Sequence, residues 1–484
     1  MKIRRQHLFL RFLAVAIVFA SCKKKDDVAK QSELSVSSSE ELFTSQGGTS
    51  EVTVTSNSIW NITNFASWCT AEASTPNGNG KIIFTVQSNL ASSERSVICS
   101  VTSGSISKEI KIRQLGSRLL DSIAADATGM GSNAVQLAAK IRLGWNLGNT
   151  LEAIGSETAW GNPEVTKALV DRVKQSGFNA VRIPCSWNQY VIDNSTNQIK
   201  PEWLDRVKEV VQYCIDDSLY VILNIHWDGG WLDGNINAGA QASVNEKQRA
   251  FWKQIALKLR DFDEHLMFAS ANEPPVDNTT QMNILLSYHQ TFINTVRSTG
   301  GRNTYRVLVI QGPSTDIDKT TTLMNTLPTD PAANRMMVEV HYYGPWQFCG
   351  LTEDASWGNM FYYWGKDYHS ASDLSRNCNW GEEDYVDAEF LKMKTKFVDK
   401  GIPVVLGEYG AIRRTSLTGD ALAIHLSSRA HWDKYITKQA RTNGLLPFYW
   451  DEGSLGNNGF GIINRQYNTI GDQPVLDSLL LGAQ

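Results

Sequence analysis

The chain has 484 residues, 42% hydrophobic and 20% charged, with a net charge of −4. That length accommodates one large domain and a smaller one, with a sizeable core. The near-neutral balance excludes a nucleic-acid partner, which calls for a basic face, and the 15 tryptophans, many in loop stretches, point elsewhere.

At the N-terminus Lys2, Arg4, Arg5 and Arg11 precede an unbroken apolar run from Phe12 to Ala20. Basic then apolar regions mark a targeting segment, set aside before fold reasoning. The run closes on Phe19-Ala20-Ser21-Cys22. Small residues directly before a cysteine resemble a bacterial lipoprotein signal. The resemblance implies removal of residues 1–21 and a lipid on Cys22, which would anchor an exported chain in the outer membrane. Lys23-Lys24-Lys25-Asp26-Asp27 follows at once, similar to surface-export signals of Bacteroidetes lipoproteins. Residues 22–32 read as the lipidated cysteine and a tether too polar to fold on its own.

From 33 to 115 the pattern is all-β. Val52 and Val54 alternate with polar residues, as do Ile82, Phe84 and Val86, then Val97, Cys99 and Val101, then Ile110 and Ile112. Gly47-Gly48, Asn77-Gly78-Asn79-Gly80 and Ser103-Gly104 separate these runs as turns. Short strands at this spacing predict a small immunoglobulin-like sandwich. The layout of Ser56-Asn57, Trp60, Trp68-Cys69 and Ile112-Arg113-Gln114 resembles a BACON domain, a type found in Bacteroidetes carbohydrate-active proteins. Trp60 and Trp68 are expected in its core rather than on a sugar-binding face.

Residues 116–130 read as a linker and 131–484 as one catalytic domain, opened by a small helix around Ala134 to Ala139. Strands are predicted over 142–147, 179–184, 219–225, 265–271, 305–311, 336–341, 402–407 and 445–450. Helical patterns lie between most of them; in the first, Val165, Leu169 and Val173 run to a stop at Gly177. Eight such βα units in one domain predict a (β/α)8 TIM barrel within an α/β class fold. A doubly wound open sheet is weakened because no Gly-rich phosphate turn follows any strand.

In such a barrel the site lies where the strands end. The first strand leads to Asn146 and Asn149, the second carries Arg182, and the third ends in His226-Trp227. The fourth ends in Asn272-Glu273-Pro274, the sixth in His341 with Tyr343 beyond, the seventh in Glu408 and the eighth in Trp450. Two glutamates closing buried strands suit a retaining glycosidase, with one as acid and base and the other as nucleophile. The acid requires a pKa raised by burial and a neighbouring negative charge, and the nucleophile must be ionised. The eight histidines show no HExxH or comparable ligand cluster, so no metal and no cofactor is expected. GxSxG is also missing, which removes a serine-hydrolase reading.

Together Asn149, Trp160-Gly161-Asn162-Pro163, Arg182, His226, Asn272-Glu273-Pro274, His341-x-Tyr343, Gly407-Glu408-Tyr409-Gly410 and Trp450 resemble glycoside hydrolase family 5. The opening Gly144-Trp145-Asn146-Leu147-Gly148-Asn149-Thr150-Leu151-Glu152-Ala153 is similar to its subfamily 4. The resemblance implies a retaining endo-acting enzyme on β-1,4-glucans, with Glu273 as acid/base and Glu408 as nucleophile. Asn149, Arg182, His226, Trp227, Asn272, His341, Tyr343 and Trp450 are the implied substrate-binding residues, and Arg182 and Tyr343 are also placed to hold the charge of Glu408 by hydrogen bonds. Trp227 stands where relatives often carry a second histidine. Trp160, Trp227, Trp346 and Trp357 are candidate stacking platforms. The expected partner is a plant β-glucan, with xyloglucan or mixed-linkage glucan ahead of cellulose, cleaved by a monomer. A non-catalytic glycan-binding protein and a mannanase or xylanase on the same barrel are the alternatives. Of the six remaining cysteines, Cys99 and Cys214 are expected as buried thiols, and Cys349 with Cys378 is the pair considered for a disulfide.

Overall fold

The computed structural model describes residues 32–45, 47–89, 94–116 and 122–484, in two compact units that meet in sequence after Leu115. The targeting segment, Cys22 and nearly all of the tether lie outside the described residues.

The first unit is a two-sheet sandwich. One sheet orders the strands Leu34–Val36, Gly48–Ser56, Gly80–Val86 and Cys69–Ser74; the other orders Glu40–Phe43, Ile106–Gln114, Arg95–Ser103 and Asn61–Thr63. Alternate residues of a strand face opposite sides. Val52, Val54, Ile82 and Phe84 therefore meet Cys99, Val101, Ile110 and Ile112 in one buried core, while their polar neighbours face water. Trp60 is buried in this core and donates from Nε1 to the Gly78 carbonyl at 2.8 Å. Trp68 packs partly buried at the margin, with the Arg95 guanidinium 4.5 Å from its ring centroid.

The second unit is a closed barrel of eight parallel strands in chain order: Gly144–Leu147, Ala180–Ile183, Tyr220–Asn224, Leu266–Ala269, Leu308–Gln311, Met336–Tyr342, Val404–Tyr409 and Leu445–Asp451. Each falls on its predicted run. The strands are buried on both faces, which is why they read as continuous apolar sequence. Alternation sorts the side chains. Leu308, Ile310, Val338, Val340, Val404 and Leu406 face the surrounding helices, whereas Val309, Met337, Val405 and Leu446 fill the lower barrel interior. Leu137 and Ile141 join that lower layer from the small helix Ala134–Ala138 and the turn after it. The first crossover helix, Lys167–Gln175, is capped by Thr166, and Gly177 follows its end at a φ of 96° that favours glycine.

One expectation is corrected and one open pairing is answered. Ile123–Ala125 pairs with Gly300–Gly301, and Asp126 bonds to Gly301 and Arg302. The end of the supposed 116–130 linker is thus part of the barrel unit. Cys349 and Cys378 are both buried free thiols and not a disulfide; they lie in the apolar packing around Phe348 and Trp364, where two small hydrophobes suffice. Cys99 and Cys214 are buried thiols as expected.

Candidate active site

The inward-facing residues change character along each strand. Above the apolar layer come Asn146, Arg182, Asn224, Gln311 and Glu339, one per strand and all fully buried. Polar groups survive there because they satisfy one another. Asn146 donates from Nδ2 to the Gly407 carbonyl at 2.8 Å, and its Oδ1 accepts from Arg182 Nη1 at 3.0 Å. Arg182 also donates from Nη1 to Glu408 Oε1 at 2.9 Å and from Nη2 to Asn272 Oδ1 at 2.7 Å. Its Nε lies 2.8 Å from Glu339 Oε1. Gln311 donates to the other Glu339 oxygen at 2.6 Å.

Glu408 reaches this network because its strand breaks register. Leu406 pairs with Val340, but Glu408, not Gly407, pairs with His341. Strict alternation would turn Glu408 toward the helices. The extra residue is a bulge that keeps Glu408 inside while Tyr409 points out, its hydroxyl on Thr437. The bulge needs glycine: a Cβ on Gly407 would lie 2.0 Å from Glu339 Oε1.

Glu408 is buried and accepts from Tyr343 Oη at 3.0 Å on Oε2. The Glu273 side chain is 45% exposed and has its Oε1 2.7 Å from His341 Nδ1. One oxygen of each glutamate and His341 Nδ1 all lie within 4.8 Å of one another. His341 is thus held on one side by Glu273 and on the other by Glu339, 3.2 Å from Nε2.

Burial opposes charge on His341, yet Glu408, Glu273 and Glu339 around it raise its pKa to about 9. Burial raises Glu273, but the hydrogen bond and charge of His341, with Arg182, bring it below its ordinary value. Burial keeps Glu408 above its ordinary value, even against His341 and Arg182. This order is the reverse of the expected one. The reason is His341: it faces Glu273 directly and shares the proton that Glu273 was expected to hold alone. Three such donors suit a small cation as well. Arg182 and His341 already bring positive charge to these carboxylates, so the cluster is best described as a proton-handling one.

Arg182 is fully buried beneath Glu408 and holds its charge as expected, but it bonds carboxylates rather than meeting solvent and so does not face the substrate. Asn272 has its amide oxygen committed to Arg182. His226 accepts from Asn224 Nδ2 at 3.2 Å, and burial with the charges of Arg182 and His341 holds it well below its usual pKa. Its ring lies parallel to Trp450, centroids 6.0 Å apart. Trp227, 50% exposed, lines a cavity of about 510 Å³ with His226, Asp233, Asn272 and Glu273. Trp346, 47% exposed, meets the Tyr343 ring edge to face. These two aromatics flank the glutamates through their neighbours.

Asn149 serves the loop: its φ is 56° and its carbonyl accepts from Asn162 Nδ2. Among the described residues no hydrogen bond joins its side chain to either glutamate, and none joins Trp160 or Trp357 to them. Glu339, Gln311 and Asn224 escaped the sequence reading. For Glu339 a signal was present: a carboxylate inside the apolar run Met336-Met337-Val338-Glu339-Val340, two residues before His341 and so on the same strand face.

Comparison with known proteins agrees with this geometry. A family model described as cellulase, glycosyl hydrolase family 5, matches residues 146–456, and the BACON model, a putative N-terminal binding domain, matches 58–115. The xyloglucan-specific endo-β-1,4-glucanase of Bacteroides ovatus is 35% identical over 456 residues, covering 90% of this chain and 89% of that protein. Endoglucanase A of Paenibacillus barcinonensis is 36% identical over 388 residues, covering 75% and 94%. Among solved structures, the B. ovatus xyloglucanase in complex with a XXXG heptasaccharide aligns with a TM-score of 0.70 at 32% identity, covering 93% and 99%. A chain with both glutamates at the ends of its fourth and seventh barrel strands, matched this broadly, belongs to glycoside hydrolase family 5.

Proposed function

We propose that this protein is a retaining endo-β-1,4-glucanase whose preferred substrate is xyloglucan, with Glu273 as acid/base and Glu408 as nucleophile. One observation carries the mechanism: the two carboxylates approach within 4.8 Å. Retaining glycosidases hold theirs about 5 Å apart, whereas inverting ones leave several ångströms more for a water. Glu273 gives its proton to the glycosidic oxygen as a Glu408 oxygen attacks the anomeric carbon and the glycosidic bond breaks. Glu273 then takes a proton from water, which attacks the same carbon and releases Glu408. The exposed face of Glu273 supports the first role. A sugar covering it removes water, which favours the neutral carboxyl and draws the shared proton from His341. Arg182 and Tyr343 favour the ionised form of Glu408.

Support for xyloglucan comes from relatives. The B. ovatus enzyme and a ruminal enzyme, 38% identical with a TM-score of 0.68, are both described as xyloglucan-specific. Other solved relatives are described as broad-specificity endoglucanases. A lipid anchor on Cys22 at the cell surface, part of the same proposal, would present the enzyme to soluble branched glucans.

The test is release of reducing ends from xyloglucan, mixed-linkage glucan, cellulose, mannan and xylan, with Glu408→Ala in parallel. Cleavage of xyloglucan that disappears in the variant is the expected result. Activity confined to mannan or xylan overturns the substrate, and binding without cleavage overturns the enzyme.

A further inference from the structure

Glu339 lies two residues before His341 on the strand Met336–Tyr342 and so faces the same interior. It is fully buried and does not reach the surface on which a sugar would lie. A carboxylate in such a place is costly unless it is paired, and each of its contacts is charged or polar. Oε1 lies 2.8 Å from Arg182 Nε and 3.2 Å from His341 Nε2, and Oε2 accepts from Gln311 at 2.6 Å. Burial raises its pKa, but the Arg182 charge, the hydrogen bond and charge of His341, and Gln311 bring it below its ordinary value. Glu339 is therefore ionised.

An ionised carboxylate accepts hydrogen bonds and donates none. The contact to Glu339 thus requires a proton on His341 Nε2. That leaves Nδ1, 2.7 Å from Glu273 Oε1, as the position where the imidazole gains or loses one. The other groups around the ring are Glu408, with Oε2 3.7 Å from Nδ1, and its partners Tyr343 and Arg182. His226 is kept neutral by burial and by the charges of Arg182 and His341. Of the three carboxylates against His341, two change state in the proposed reaction: Glu273 gives and takes a proton, and Glu408 loses its charge on forming the glycosyl bond. Glu339 alone keeps its charge throughout. That charge acts in one direction on both partners of the Nδ1–Oε1 contact, favouring the protonated form of His341 and of Glu273 alike.

We propose that Glu339 is the positioning residue of the catalytic proton: it fixes the tautomer of His341, aims Nδ1 at the acid/base, and supplies the lasting negative charge that retains the proton shared by His341 and Glu273. The inference rests on the acid/base role given to Glu273 above. A role through Arg182 alone would act instead on Glu408, and so on the acidic limb of the pH profile.

The experiment compares wild type, Glu339→Gln and Glu339→Asp on xyloglucan and on a dinitrophenyl β-cellobioside, whose leaving group needs no proton. Glu339→Gln keeps the shape and removes the charge. The basic limb of kcat/KM on xyloglucan is expected to move down by roughly 1–2 pH units, with a smaller loss on the dinitrophenyl substrate. Glu339→Asp keeps the charge and should leave the limb near its wild-type position, even where kcat falls. NMR titration of the His341 ring reads the same proton without turnover, and its midpoint, about 9 in wild type, should fall with the limb in Glu339→Gln. An unmoved limb with an unmoved ring titration overturns the proposal. So does a shift of the acidic limb alone, an equal loss on both substrates, or a basic limb displaced as far by Glu339→Asp as by Glu339→Gln. A wild type that cleaves neither substrate overturns the hydrolase reading, whereas cleavage with an unmoved His341 titration overturns only the role of Glu339.

Discussion

Replacing Arg182 by lysine keeps the charge at the centre of the site and removes its geometry. The guanidinium serves Asn146, Asn272, Glu408 and Glu339 at 2.7–3.0 Å from a fully buried position. A lysine ammonium is a single point on a flexible stem and cannot reproduce that fork. If it reaches two of the four acceptors, two stay buried without a donor, each at about 1–3 kcal/mol. The expected loss is therefore ~2–6 kcal/mol. At ~2 °C per kcal/mol, the low end of the range for domains somewhat smaller than this barrel, melting should fall by roughly 4–12 °C. Activity should respond in a diagnostic way. Glu408 is already pushed up by burial, and Arg182 is one of the two positive groups opposing that. With the cation displaced, Glu408 ionises at higher pH, so the acidic limb of kcat/KM moves upward and the rate on that limb falls about tenfold for each pH unit it moves. Calorimetry and a pH–rate profile on an aryl cellobioside measure both effects. A variant that melts with the wild type and keeps its acidic limb would refute the assignment of Arg182 as the support of Glu408.

Two further outcomes follow from single positions. Gly407→Ala places a Cβ 2.0 Å from a Glu339 oxygen that Arg182 and His341 hold in place. Overpacking of this kind costs ~1–3 kcal/mol, and the displaced Glu339 and Glu408 should reduce kcat more than tenfold with little change in KM; normal turnover would refute the bulge argument. Asp433 is buried with neither carboxylate oxygen hydrogen-bonded, and burial, with Asp472 adding to it and Arg429 opposing, pushes it up to about 8. The folded state then holds a proton that the unfolded chain releases near pH 4. Stability attributable to this group falls as pH rises from about 4 to about 8 and is level above that. Asp433→Asn should abolish that slope and be more stable than wild type at pH 8, measured by denaturant unfolding at pH 5 and pH 8. The same slope in both proteins would show that Asp433 is ionised in the fold.

The eight barrel strands were legible one by one because strands buried on both faces carry uninterrupted apolar runs, as in Leu266-Met267-Phe268-Ala269. Glu273 and Glu408 were legible for the complementary reason, since a carboxylate closing such a run has no structural excuse. The sandwich alternation and the buried Trp60 were also present in the order of residues. The proton between Glu273 and His341, and with it the pKa order of the two glutamates, was not.

That division has a physical cause. A residue's tendency to be buried, and the period with which it recurs, are properties of the local chain, so the sequence by itself determined the element types, their order and the residues at the strand ends. Which side chains meet is decided by how eight strands stagger when the barrel closes. Only that closure sets Arg182 against Glu408 and Glu339, 226 and 157 residues away. Only the register shift at Gly407 turns Glu408 inward. Only the pairing of Ile123–Ala125 with Gly300–Gly301 makes part of an apparent linker belong to the barrel. Long-range register is a property of the whole sheet, and no window of sequence contains it.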